Sequence, residues 1–328
     1  MAVQAGEYYI NDLSAELIAL YRQIAASNPD FMDLVKEMDL AWQQTGKLLL
    51  SDHQLYRIYI SHRLQGNEQV LQNDILTFVA DHEKQISHIL RGNFYIYIDV
   101  FRKQITGNLL RKMKRMRQLE LEKHPLIEKD LYDNMEAALK SGLYMTYRHI
   151  YNKENTSPDA PVHCALFFFL RNYSYSGMFR YSAKGEFNVP YGGIAYNAKL
   201  MDKKLAYYLS SPLQEHFSRA HIYHADFEEF LRQTSPTAKD FIFLDPPYDS
   251  EFNTYAQNAF TRDDQVRLSN YLLHECKAKW MLIIKYTDFI YSLYRKPGIS
   301  IQTFDKEYLV SFMNRNNKNA THLIITNY

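Results

Sequence analysis

Asp245, Pro246, Pro247 and Tyr248 directly follow the apolar run Phe241-Ile-Phe-Leu244, and these residue types in this order can activate an aromatic amine. An exocyclic amine such as adenine's is a poor nucleophile, because its lone pair is delocalised into the ring. A carboxylate at Asp245 can accept one of its N–H bonds, and the carbonyl of Pro246 can accept the other. Held by both, the nitrogen moves toward tetrahedral geometry, and its lone pair can attack an activated methyl group in line. The two prolines fix φ and keep Asp245 extended, so the loop is rigid before a base arrives. Tyr248 offers a ring face to a base extruded from its stack. The carboxyl end of a strand is where α/β folds bind ligands. The bland alternative is an ordinary Pro-Pro turn; the apolar strand before it and the tyrosine after it favour the chemical reading. Methylation at a cytosine carbon needs a cysteine nucleophile, usually written Pro-Cys. Here Cys164 follows His163 and Cys276 follows Glu275, which disfavours that reaction.

The surrounding text supplies elements to hold this loop. Residues 7–10 read as a strand. Leu13, Leu17, Leu20 and Ile24 then keep helical spacing, with Ser14 or Asp12 as cap. Residues 28–153 are helical in pattern, polar and poor in proline. They include Arg111-Lys112-Met113-Lys114-Arg115-Met116-Arg117, which is either a contact along a DNA backbone or a solvated helix face. Met113 and Met116 share one side, which predicts a partly buried helix. A turn-rich break at 155–161 precedes an apolar run at 165–170, a buried helix or strand. Residues 171–193 read as a loop or hairpin. A helix near 199–209, a short strand at 221–226, a buried strand at 241–244, an amphipathic helix at 261–277 and strands at 280–284 and 323–325 complete the pattern. Strands alternating with helices at both ends predict an α/β sheet carrying a helical insertion.

The 328 residues are 46% hydrophobic and 23% charged, with a formal net charge of +1. No global basic field exists, so a nucleic acid must be held by a local patch. Two distant cysteines argue against a disulfide framework or a zinc site, and no metal is expected. The start lacks the basic and apolar regions of a signal peptide, and the longest apolar run is too short to span a bilayer. A cytoplasmic location is expected.

Several separated segments, in order, resemble the Dam-like DNA adenine methylases, restriction-associated members included. Tyr8-Tyr-Ile-Asn-Asp12 with the following helix resembles the second cofactor motif. Residues 144–152 resemble the family's Tyr/Arg/Asn segment. Phe169-Leu-Arg-Asn-Tyr-Ser-Tyr-Ser-Gly-Met-Phe-Arg-Tyr181 and Gly185-Glu-Phe-Asn-Val-Pro-Tyr-Gly192 resemble its DNA-recognition hairpin. Ala225-Asp226-Phe227 resembles the third cofactor motif. Asn314-Arg-Asn-Asn317 and His322-Leu-Ile-Ile-Thr-Asn-Tyr328 resemble its carboxyl end. The stretch 27–143 resembles nothing placeable. The resemblance implies a Rossmann-like sheet that binds S-adenosyl-L-methionine (AdoMet), with residues 1–27 and 195–328 forming the catalytic domain and 28–194 the helical insertion and target-recognition region. It implies site-specific adenine methylation of double-stranded DNA, of restriction-modification or defence type. Asp12 would hold the cofactor's ribose, as an acid at a strand's carboxyl end can; a helix N-cap is its bland role. Asp226 and Phe227 would flank the cofactor's adenine. Arg180, Tyr181, Lys184 and Asn188 would face DNA, a mix suited to phosphate contact and base readout. Relatives often write Arg-Tyr-Asn where this sequence has Arg180-Tyr181-Ser182, so the recognised sequence does not transfer.

The family's Phe-x-Gly-x-Gly turn is expected just before the Asp12 strand. No two of the 11 glycines here are separated by one residue. Such a turn lets backbone approach the cofactor closely. Three readings stay open: a second polypeptide supplies the turn and its strand, the sequence starts late, or the protein is a non-catalytic DNA-binding subunit.

Overall fold

The computed structural model describes residues 4–49, 53–154, 156–249, 260–307 and 319–328. Asn155 and the segment Asn314 to Asn317 named above lie outside them. The chain divides into two compact units, one of residues 1–6 and 19–220, the other of residues 7–18 and 221–328.

Strand β1 (Tyr8–Asn11) leads into helix α1 (Ala15–Ala25), whose first turn is capped by the Ser14 hydroxyl accepting the Leu17 N–H at 3.3 Å. The helical unit follows: α2 (Pro29–Lys47), α3 (Gln54–Gln65), α4 (Glu68–Asp81), α5 (Glu83–Ile89), α6 (Ile98–Glu122), α7 (Glu128–Lys153), α8 (Pro161–Tyr173), α9 (Asp202–Tyr208) and α10 (Ser211–Phe217). Local chemistry punctuates it. Asn28 caps α2 by accepting the Asp30 and Phe31 N–H groups, with Pro29 in the first turn, where its missing N–H costs nothing. Gly66 ends α3 at φ 70° and Asn67 caps α4. The ambiguous run at 165–170 is helical, part of α8. Most of its side chains are buried, the mark of a central core helix. Trp42 stacks on Tyr173 at 4.0 Å between centroids, and the buried Lys140 ammonium lies 5.0 Å from the Trp42 ring. Met113 and Met116 are buried, which confirms the predicted inner side of α6. The end of α1 and helices α9 and α10 join this core through Leu20, Ile24, Leu205 and Leu213.

The second unit holds β1, β2 (Ala220–Tyr223), α11 (Phe227–Thr234), β3 (Phe241–Leu244), α12 (Arg262–His274), β4 (Lys279–Lys285), α13 (Asp288–Tyr294), β5 (Ser300–Glu307) and β6 (Asn319–Thr326). Among the described residues β1 and β2 form a two-stranded sheet, and the other four strands run in the order β3-β4-β6-β5. The β3–β4 pair is parallel, with Phe243 opposite Met281; β4–β6 and β6–β5 are antiparallel. Strand β5 was not anticipated. Trp280, Leu282 and Ile284 of β4 alternate onto one face and pack with Leu268, Leu272, Ile290 and Tyr294 of α12 and α13. Thr261 and Asp264 form a reciprocal capping box at α12.

One expectation needs correction. Residues 241–244 form a strand, but not a buried one. Ile242 and Leu244 face the helices, whereas Phe241 and Phe243 are 55% and 59% exposed. No element of the described chain covers the second face of β3 enough to bury them.

Candidate active site

The Asp245 loop begins where β3 ends, and its neighbours fix it on three sides. Buried Gln265 on α12 donates to the Pro247 carbonyl at 2.8 Å. Arg262 grips Asp249 from Nε at 3.0 Å and Nη2 at 3.3 Å, and the Thr287 hydroxyl donates to the same carboxylate. That pairing raises the pKa of the exposed Arg262. Tyr248 is held by His322, a fully buried residue of β6. His322 Nδ1 lies 3.0 Å from the Ala320 carbonyl, which can only accept, so Nδ1 carries the proton and Nε2 accepts from the Tyr248 hydroxyl at 3.3 Å. The two rings meet edge to face at 5.5 Å. Asp245 itself is exposed at the head of this braced loop.

Asp12 and Asp226 also follow strands. Asn11 joins the two loops. Its side-chain amide donates to the Ala225 carbonyl at 3.0 Å and accepts the Ala225 N–H at 3.1 Å. Asp12 is half-buried, and one of its oxygens accepts the Ser14 N–H at 2.7 Å. Asp226 is the N-cap of α11, accepting the Glu228 N–H at 3.0 Å. It also pairs with Arg267 at 2.9 Å. Burial raises the Asp226 pKa, but the Arg267 guanidinium and the cap bond outweigh this and hold the carboxyl below its ordinary value. Arg267 further pairs with Glu228 and Asp264 and lies 4.8 Å over the Phe227 ring. Both Asp226 and Phe227 therefore have structural partners within the chain.

The recognition residues lie in the helical unit. Tyr181 and Phe187 form an isolated antiparallel bridge, as do Ser174 and Tyr191, so the segment folds back on itself with little regular ladder. Gly185 takes φ +78° at the turn, and exposed Lys184 sits beside it. Arg180 Nε donates to Asn188 Oδ1 at 3.0 Å, and the Tyr181 and Tyr151 hydroxyls are 2.8 Å apart. Helix α7 supports the return strand from one stripe. The Tyr144 hydroxyl donates to the Val189 carbonyl at 2.9 Å, Arg148 donates to it at 3.3 Å, and Asn152 makes a two-way clamp on Phe187. This stripe at i, i+4, i+8 is the Tyr/Arg/Asn segment seen in the sequence.

Comparison with known proteins agrees. The family model for D12 class N6 adenine-specific DNA methyltransferases matches residues 62–311. The chain belongs to that family. The match takes in the loop at Asp245 and also α4, α6 and α7, so most of the helical stretch left unplaced by the sequence is family sequence. Among relatives, the type II methyltransferase M.CviBI of Paramecium bursaria Chlorella virus NC1A is 34% identical over 169 residues, 49% of this chain and 60% of its own length. The type II methyltransferase M.MjaIII of Methanocaldococcus jannaschii is 30% identical over 209 residues, 61% and 69% of the two chains. The retron Ec67 DNA adenine methylase of Escherichia coli is 30% identical over 162 residues, 49% and 54% of the two. The chain thus spans between about half and two thirds of these D12-class relatives.

Gln265, His322, Asn11 and Arg267 were missed by sequence reasoning. His322 stood inside a segment already noted for its resemblance. The others carry no local signal.

Proposed function

We propose that this chain carries the catalytic carboxylate of a site-specific DNA adenine methyltransferase of restriction-modification or defence type. The carrying observation is the braced loop, with Asp245 at the carboxyl end of β3, Pro247 tied to Gln265 and Tyr248 tied to His322. Asp245 accepts one N–H of the extruded adenine's amine and the Pro246 carbonyl accepts the other, which localises the nitrogen lone pair. Tyr248 presents its ring to the base, with its hydroxyl anchored so that the ring does not turn away. AdoMet, when bound, supplies a methyl group activated by its sulfonium. The donor set fits the cofactor at Asp12, whose second carboxylate oxygen remains for a ribose hydroxyl. Asp226 and Phe227 form the wall beside it, through the Asn11–Ala225 clamp. The sheet is read as Rossmann-like on the parallel β3–β4 pair and the strand-end acids. Arg180, Tyr181, Lys184 and Asn188 contact duplex DNA, on the support of their turn geometry and exposed lysine. A cytoplasmic setting suits this substrate; among the described residues no helix is long and apolar enough to cross a membrane.

The cofactor's glycine turn is not in this sequence. We propose that a polypeptide segment bearing it, carried by a second chain, adds beside the open edge of β3 and covers Phe241 and Phe243. An all-apolar parallel strand normally has both faces covered, and exposed aromatics of this kind mark an interaction surface. The test is transfer of labelled methyl from AdoMet to duplex DNA, by the chain alone and with a polypeptide containing the glycine turn and its strand. Label on adenine in either arm, lost in Asp245→Ala, supports the reading. Folded protein that labels nothing in both arms, yet binds DNA, points to the non-catalytic subunit instead.

A further inference from the structure

The helical unit contains a concave pocket of about 520 Å³ between α1, α8, α9 and α10. Three cations line it, Arg171, Lys199 and Lys204, with no carboxylate among the lining residues. None of the three forms an ion pair among the described residues. Two converge on a single side chain. Lys199 Nζ donates to the Asn172 carbonyl at 2.6 Å, and Lys204 Nζ donates to Asn172 Oδ1 at 2.7 Å. Asn172 is only 3% exposed, and its Nδ2 has no hydrogen-bond partner. Since Oδ1 is used as the acceptor, the orphaned atom is the N–H donor. A buried donor without a partner is costly and uncommon in native proteins. The cations also repel one another: burial lowers the Lys199 pKa with a contribution from Lys204, and burial lowers the Lys204 pKa with a contribution from Arg171. Every polar group on this wall is short of acceptors, and an anion with several oxygens would supply them.

The remaining wall is aromatic, from Phe168, Tyr207 and Tyr208. A ring can stack there beside the anion. A bare solvated lysine patch does not account for ammonium groups turned inward onto a buried asparagine.

We infer that this pocket binds a nucleotide phosphate through Arg171, Asn172, Lys199 and Lys204, with the attached base against the tyrosines. The phosphate comes from a free nucleotide or from the backbone of bound DNA, and these are separable. The full chain is titrated without AdoMet with adenosine 5′-monophosphate, inorganic phosphate and adenosine, and duplex affinity is measured against salt. With a free nucleotide as ligand, the monophosphate binds tighter than adenosine, and Lys204→Gln and Asn172→Asp each weaken it about tenfold or more. With the DNA backbone as ligand, Lys204→Gln lowers the salt slope of duplex binding by about 0.9. Asn172→Asp places a carboxylate beside two lysines, so its melting temperature holds or rises while binding falls, which separates ligand loss from unfolding. The inference is overturned if phosphate adds nothing over the nucleoside and the salt slope is unchanged, or if the monophosphate binds and both variants bind it equally well. None of these readouts requires methyl transfer, so failure of the proposed activity leaves the pocket test intact.

Discussion

At Asp245 the carboxylate matters most in the transition state, when the amine's N–H bonds are most polarised. Asp245→Asn keeps the shape and loses the charge. Single-turnover methylation by the complete enzyme should fall by a factor on the order of 10²–10³, the scale for one pre-organised interaction aimed at developing charge, with DNA and AdoMet affinity nearly unchanged. A fall confined to affinity would place Asp245 outside the chemistry. Tyr248 separates ring from hydroxyl. Tyr248→Phe forfeits the bond to His322 and should cost about 0.5–1.5 kcal/mol of stability, yet retain most turnover, whereas Tyr248→Ala should lose the handling of the extruded base. Equal turnover in the two variants refutes the stacking role. The four residues of this loop were legible because their chemistry is contiguous. Gln265 and His322 were not, because they sit 18 and 74 residues from the groups they brace, and only the fold brings them there.

Element packing gives a paired test within two helices. Gly107 lies in α6 with nothing within 4 Å of where a Cβ would stand, while a Cβ on Gly142 of α7 would meet the Ile105 backbone at 3.0 Å. Gly107→Ala should therefore stabilise by up to about 1 kcal/mol through helix propensity. Gly142→Ala gains the same propensity but forces α6 from α7, a cost of about 1–3 kcal/mol, so its net effect is destabilising. Denaturant midpoints of opposite sign confirm this; two increases would show that the α6–α7 contact yields. Around α11 the ion cluster predicts a pH effect. The folded Asp226 pKa is depressed, so its contribution is present above the unfolded pKa of about 3.9 and is lost as pH falls through the folded value. Arg267→Gln should lower the melting temperature at neutral pH, with the gap from the parent closing below about pH 4. A gap that is constant with pH would mean that Arg267 acts by packing on Phe227 alone. Helices with caps, such as α2 and α12, were readable to within a few residues. The partial burial of β3 was not, because apolar composition reports what a strand can bury and not what lies against it.

For the molecule as a whole, the open face of β3 makes the sharpest demand. Phe241 and Phe243 share it with Met281 of β4, and the parallel register puts Phe243 directly opposite Met281. The two phenylalanines are already partly covered, so roughly half of each side chain's burial remains to be gained. Together that is on the order of 2–3 kcal/mol, or about 30- to 150-fold in affinity for whatever docks there. Replacing both with lysine removes the apolar gain and places charge where a strand would add. The isolated Phe241→Lys/Phe243→Lys chain should keep its fold, because Ile242 and Leu244 hold β3 against the helices from the other face. It should also bind less of a hydrophobic dye. Stimulation of its methyl transfer by the glycine-turn polypeptide should need at least about 30-fold more of that polypeptide. If the variant is stimulated at the parent concentration, the completing segment docks elsewhere. If the parent chain methylates fully without any added polypeptide, the aromatic face of β3 serves another partner.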